Sequence, residues 1–411
     1  MMFYKETDFK VTDIGRIPSD WNVESLGNVV SLRSNQARLS VTEVAFIPME
    51  LVPDDGIYAR YEIRDTSKVS SHTYCEAGDL LLAKITPSLE NGKQGVVPED
   101  IPNGFALATT EVFPLYCKTI DKMFLFYLLK HREMRRVLEN SMRATTGRLR
   151  VPREALEGLR IPYPRFPDEQ HGIAEVLSTV DDAIQKTNEV IAKTERLKRG
   201  LMQELLTKGI GHKEFKDTEI GRMPKEWGVR TIGDICDILD SQRVPLNEQK
   251  RQKMKGTIPY YGANGVVDYV NDYIFDDKLI LLAEDGGYFA EYVARPIAYM
   301  VEGKCWVNNH AHVLRVREAS GVVAEYLLYS VEHRNILPFI KGTTRSKLNQ
   351  EELRKIPVPK PPFDEQLAVA EVLSTVDEAI QKAKTELVGL SKVKQGLMDL
   401  LLTGKVRVRV S

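Results

Sequence analysis

The 411-residue chain has no surplus of either charge: 57 Lys and Arg stand against 58 Asp and Glu, a formal balance of −1. Its overall field gives no reason to expect a polyanion, so any such partner must be held by local charge. Cysteine is scarce. Cys75, Cys117, Cys236 and Cys305 lie far apart without a Cys-x-x-Cys spacing, which excludes a cysteine zinc cage and a disulfide framework. No apolar run reaches the ~18 residues that span a bilayer, and Met1-Met2-Phe3-Tyr4-Lys5 opens no signal-peptide core. No membrane partner is implied, and a cytoplasmic location is expected.

Catalytic signatures are missing as well. There is no Gly-x-x-x-x-Gly-Lys-(Ser/Thr) loop for an ATP-driven motor. An (Asn/Asp)-Pro-Pro-(Tyr/Phe) methyltransferase motif is not met either, because Lys360-Pro361-Pro362-Phe363 carries Lys where the Asn or Asp belongs. His310 and His312, with Cys305, would share one strand face but have no further ligand nearby in sequence, so no metal site and no catalytic residue are assigned.

What the chain does have is an internal repeat. Thr12-Asp13-Ile14-Gly15-Arg16-Ile17-Pro18 followed by Trp21 recurs as Thr218-Glu219-Ile220-Gly221-Arg222-Met223-Pro224 followed by Trp227. The block from Glu175 to Lys186 recurs from Glu371 to Lys382 with a single difference, Asp182 against Glu378. Between these matched ends lie two dissimilar middles, at roughly 20–160 and 226–355. Runs such as Leu80-Leu81-Leu82-Ala83 and Leu279-Ile280-Leu281-Leu282 mark them as strand-rich α/β, each ending in a helical segment (123–138 and 322–336).

The repeated blocks read as long helices. Ile173, Leu177, Val180, Ile184, Ile191, Leu197, Leu201 and Leu205 fall mainly at spacings of three and four, and Val369, Leu373, Val376, Ile380, Leu387, Val393, Leu397 and Leu401 repeat the stripe. Asp168 and Asp364 are expected N-caps, with Gly209 and Gly404 as stops. Rods of about 55 Å with matching seams predict mutual pairing as a coiled coil. The expected divisions are a first domain at 1–160, a helical spacer at 161–210, a second domain at 211–355 and a second spacer at 356–411.

Charge is concentrated at one place in each copy. Lys130 to Arg165 holds ten Lys or Arg against four Glu, and Arg334 to Lys360 holds seven against two. Inside these windows Arg143, Thr145, Thr146, Arg148 and Arg150 parallel Lys341, Thr343, Thr344, Arg345 and Lys347, a mixture of cations and hydroxyls suited to phosphate oxygens and, through Arg, to guanine edges.

These features together resemble the specificity subunits of Type I restriction-modification systems. The residues that carry the resemblance are the doubled Ile-Gly-x-x-Pro-x-x-Trp string, the doubled proline string before Glu169-Gln170 and Glu365-Gln366, and the doubled Gly-Leu-Met before Leu-Leu-Thr. It implies two α/β (α+β) target recognition domains in tandem pseudo-repeat, joined by two long helices, conserved between the copies, that pack as an antiparallel coiled coil. It implies a non-catalytic chain that directs adenine methylation and restriction to a bipartite site on double-stranded DNA. Two methyltransferase subunits and motor-nuclease subunits would be its partners, and S-adenosylmethionine, ATP and Mg would reside on them, with none bound here. Similarity to patterns in such domains adds Lys84, Thr86, Asn91, Lys93 and Thr110 in the first middle, and Tyr260, Tyr261, Asn264, Asn308, Asn309, His310 and His312 in the second, as DNA-facing candidates. A coiled-coil scaffold without DNA contact, and a self-sufficient methyltransferase or nuclease, are the alternatives.

Overall fold

Leu80–Ala83 forms a strand whose four side chains are all buried, as an unbroken apolar run demands when both faces are covered. It pairs antiparallel with Gln94–Val96 and with Val112–Cys117, and Val30–Leu32 completes a four-stranded sheet. A second sheet runs in the order Glu62–Asp65, Glu43–Ile47, Phe105–Ala108, Thr73–Glu76. The computed structural model describes residues 1–34, 41–145, 147–342 and 346–409. It divides into two units, residues 1–190 with 384–411 and residues 191–383.

In the first unit, Phe124 to Leu129 are buried without interruption on helix Lys122–Lys130. They share a core with Trp21, Leu80, Leu82 and Phe113. The expected helix at 123–138 is in fact two, because His131 is extended (φ −63, ψ 134) and a new helix starts at Arg132. The second unit is built differently, on one six-stranded sheet ordered Cys236–Ile238, Ala311–Val316, Phe275–Ala283, Ala298–Val307, Lys255–Gly262, Gly265–Val270. Helix Ala324–Glu332 covers it through Tyr326 and Leu327.

The repeated blocks form helices Pro167–Leu205 and Phe363–Leu401, each of 39 residues. In the first unit Ile173, Ala174 and Leu177 share a core with Leu401 and Leu402, while Asp181 meets Lys394. Numbers rise along one helix as they fall along the other, so the packing is antiparallel. The second unit has the reciprocal set, with Val369, Ala370 and Leu373 against Met202, and Asp377 against Lys198.

Of the pairing positions, Ile173, Leu177, Ile184, Ile191, Val369, Leu373 and Ile380 are buried, and Val180, Leu201, Val376, Leu387 and Leu397 are half-buried. Leu197 and Val393 depart from expectation, at 55% and 52% exposed. Their neighbours Lys198 and Lys394 turn inward to the two aspartates instead.

Both helices also begin earlier than expected, so Asp168 and Asp364 stand in the first turn. There a carboxylate complements the helix dipole rather than capping it. Beyond the helix ends, Gly209 and Gly404 each take φ +66. A β-carbon at Gly209 would strike Trp227, and one at Gly404 would strike Pro18 and crowd Trp21. The doubled Pro-x-x-Trp string is therefore the seat for a helix-ending turn. The proline strings pair with the strands after each Trp: Arg160–Tyr163 with Asn22–Ser25, and Pro357–Lys360 with Gly228–Thr231.

Candidate nucleic-acid interface

In the first domain the basic segment is laced to the loop that follows the central strand. The Thr86 amide donates to Leu149 O at 3.0 Å and the Val151 amide to Lys84 O at 2.8 Å. Arg143–Thr145 and Arg148–Arg150 form a hairpin on this loop. Arg150 forks onto Glu111 through Nε and Nη2 at 2.9 and 2.8 Å. That hydrogen bonding holds the Glu111 carboxyl below the usual range, against some desolvation. Lys84 lies half-buried with its ammonium 5.1 Å from the Phe113 ring centre, and burial pushes its pKa down.

Arg143, Arg148, Asn91 and Thr110 are exposed on this face. Lys93 donates to Val52 O at 2.7 Å and Thr86 Oγ1 lies 3.7 Å from Met142 Sδ, so both brace the loop. A residue that the sequence did not single out holds the same loop from beneath: Arg135, 7% exposed, donates to Leu89 O, Gly92 O and Gln94 Oε1. Burial drives its guanidinium down to about 10.

The second domain repeats the lacing with other side chains. The Leu348 amide donates to Glu284 O at 2.7 Å, and the backbones of Asp285 and Lys347 form an isolated antiparallel β-bridge. Glu284 receives Lys347 at 2.9 Å and Arg243 at 2.7 Å; burial raises its pKa, but these cations outweigh it and hold the carboxyl below its usual value. His312 lies 2.6 Å from Asp240 and 2.8 Å from Leu348 O. Asp240, Glu284 and His312 place ligand-type atoms within 4.8 Å of one another. Arg243 and Lys347 already engage the carboxylates, so the group reads as a buried ion network that anchors the basic segment.

Two sequence expectations are corrected here. His312 is 1% exposed and Tyr260 2%, its hydroxyl accepting from the Leu246 amide at 3.0 Å; both are held within the fold rather than projecting from its surface. Alternation along a strand could not tell the inward face from the outward one. Tyr261 is half-buried beside Tyr299, and Asn308 is 7% exposed. Asn264, Asn309, Lys341 and Lys347 are exposed, and His310 is partly so. Thr146, Thr343, Thr344 and Arg345 lie outside the described residues, as does the side chain of Thr145.

Each α/β domain is tied to the helices by the same three side-chain types. Tyr127 donates to Asp181 at 2.8 Å and Lys394 completes the group in the first unit. In the second, Tyr329 donates to Asp377 at 2.9 Å, and Lys198 binds Asp377 at 2.9 Å and Glu332 at 3.2 Å. Burial disfavours the Lys198 charge, but Glu332 and Asp377 overcome it and raise its pKa. The joints nearby differ. In the first unit Arg407, 3% exposed, is bound by Glu169, Glu6 and Asp20; in the second Glu365 is bound by His212 and the Trp227 indole N–H, each at 2.9 Å.

A duplicated α/β domain, each copy packed on antiparallel helices with cations laced beside its central strand, defines the class of fold. The family model for the Type I restriction modification DNA specificity domain matches residues 18–196 and 224–389. The chain belongs to that family.

Among similar proteins, the putative type I restriction enzyme MjaX specificity subunit of Methanocaldococcus jannaschii is 28% identical, across all of this chain and 99% of its own length. The MjaVIII specificity subunit of the same organism is 27% identical, across all of this chain and 98% of its own length. The fold is similar to the crystal structure of a Type I S subunit from M. genitalium, with TM-score 0.60 and 15% identity over 95% of this chain and 97% of that one. Among the described residues, no helix is long and apolar enough to cross a membrane.

Proposed function

We propose that this chain is the non-catalytic, DNA-specifying subunit of a Type I restriction-modification assembly. Each recognition domain reads one half of an asymmetric, split DNA site, and the helix pair sets the gap between the halves. Adenine methylation would be carried out by two methyltransferase subunits holding S-adenosylmethionine, and restriction by motor-nuclease subunits using ATP and Mg, all acting in the cytoplasm.

The observation that carries this reading is the shared lacing, in which the Val151 amide donates to Lys84 O and the Leu348 amide to Glu284 O, each acceptor lying just past the central strand of its domain. It presents Arg148 in one domain and Lys341 and Lys347 in the other at corresponding edges of dissimilar folds. Exposed Arg and Lys position a duplex through its phosphates, while differing loops supply base selectivity.

The test is co-expression with the genomically adjacent methyltransferase, followed by long-read mapping of methylated adenine. A split motif with a fixed gap is expected. Absent modification, with the two proteins co-purifying and the methyltransferase binding S-adenosylmethionine, would favour a scaffold without DNA reading.

A further inference from the structure

The second unit contains a cleft of about 420 Å³, lined by Tyr260, Gly262, Asp285, Gly286, Asn308 and His310 among others. Its size is that of a small-ligand site. Asn308 stands in its wall, 7% exposed. The side-chain oxygen accepts the His310 backbone N–H at 2.8 Å, while the amide nitrogen has no hydrogen-bond partner among the described residues. That nitrogen opens onto the cleft, so it is a donor free to meet an incoming acceptor. Gly262 keeps the approach open: a β-carbon there would lie 3.3 Å from that nitrogen and 2.8 Å from Val267.

His310 adds a second polar group. Its Nδ1 faces the Asp285 carboxylate, which can only accept, so Nδ1 carries a proton and Nε2 is the ring nitrogen left for a ligand. The cleft thus offers the Asn308 amide as a donor and the His310 Nε2 as a second polar contact. An anion is disfavoured, because Asp285 lines the cleft and Arg251, the one Lys or Arg among the described residues of its wall, is already bound by Asp268 at 3.0 Å and by Leu246 O at 2.8 Å. Base edges in an intact groove are read by side chains that project, as exposed Asn309 does. A group as buried as Asn308 is reached only by a ligand that enters.

We propose that this cleft receives one unstacked nucleobase of the second half-site, its edge bonded by Asn308 Nδ2 and His310 Nε2. Asp285 is the positioning residue that decides which His310 nitrogen faces the base. The assignment rests on the DNA-specifying function above and adds a base distinct from the adenine that is methylated. Extrusion from the stack is an established way for proteins to reach a whole base edge.

The experiment uses the chain with its methyltransferase on duplexes carrying the mapped motif. A fluorescent analogue, 2-aminopurine for purines or pyrrolocytosine for pyrimidines, is placed at each position of the second half-site in turn. One position besides the methylated adenine is expected to brighten on binding. Asn308→Asp keeps an acceptor for the His310 amide but removes the donor. It should abolish that signal and lower methylation of the motif roughly ten- to hundredfold, leaving the first half-site and the gap unchanged.

His310→Ala, at a partly exposed position, should lose the same signal and serves if Asn308→Asp fails to fold. Asp285→Asn should change the base preferred there. Specific methylation with no brightened position, or wild-type behaviour of both Asn308→Asp and His310→Ala, would overturn the proposal. Absence of any split motif from the wild-type complex would instead overturn the DNA-specifying reading, and this proposal with it.

Discussion

The two units differ most where they would face DNA and least where they meet the helices. The first reads from two four-stranded sheets and the second from one six-stranded sheet, yet both place Tyr, Asp and Lys in the same clamp. The paired elements must agree in geometry for the molecule to assemble, whereas the reading edges must differ for the two half-sites to differ. Equivalence is still incomplete. Asp181 and Lys394 have side chains 7% and 14% exposed, while Asp377 is 36% exposed and Lys198 keeps a second carboxylate, Glu332.

That asymmetry predicts unequal losses. Arg407→Met, which strands the buried Glu169 among other carboxylates, should cost about 3–5 kcal/mol, as should Asp181→Ala, which strands Lys394. Asp377→Ala should cost only about 1–2 kcal/mol, since Lys198 retains Glu332. Denaturant unfolding of the three variants measures this, and equal costs for the two aspartates would remove the asymmetry.

A smaller effect separates contact from support at the first domain's edge. Arg148→Ala should weaken binding to any duplex and reduce the slope of log affinity against log salt by about one. Arg150→Ala should act through Glu111 and loosen the hairpin as well, which hydrogen exchange of residues 147–151 would detect.

The Glu111–Arg150 pair gives a pH counterpart. Arg150 depresses the Glu111 pKa, so the stabilisation is complete above the ordinary glutamate value of about 4.3 and is lost as pH falls through the depressed folded value. Exchange protection of the hairpin should therefore survive mild acidification and fail only below the usual glutamate range. Glu111→Gln should remove that pH step. Least of all, Leu197→Gln and Val393→Gln should change stability by no more than about 0.5 kcal/mol, because both side chains already face solvent. A large loss from either in thermal unfolding would place it in the helix seam.

Much of the architecture was legible because it is written twice. The repeat located both helices, and the unbroken run at Leu80–Ala83 located a central strand. The clamp was not legible: Asp181 and Lys394 are ordinary charged residues in a helical pattern, and only the antiparallel packing brings them together. Arg135 was hidden for the same reason, as one of several cations in a basic window whose partners are backbone carbonyls of a distant loop. At the candidate site, residue type singled out loops but not the direction of each side chain. That is why Tyr260 and His312 turn out to be interior while Arg148 and Asn309 are exposed.

The division of the chain also bears on the order in which it is made. The second unit is continuous, residues 191–383, whereas the first needs residues 384–411 to receive Arg407 and to place Gly404 against Trp21. Domains fold as units while the chain emerges from the ribosome, N-terminal ones usually first. Here the half that is translated first must wait for residues 384–409, and the half in the middle can be complete before it.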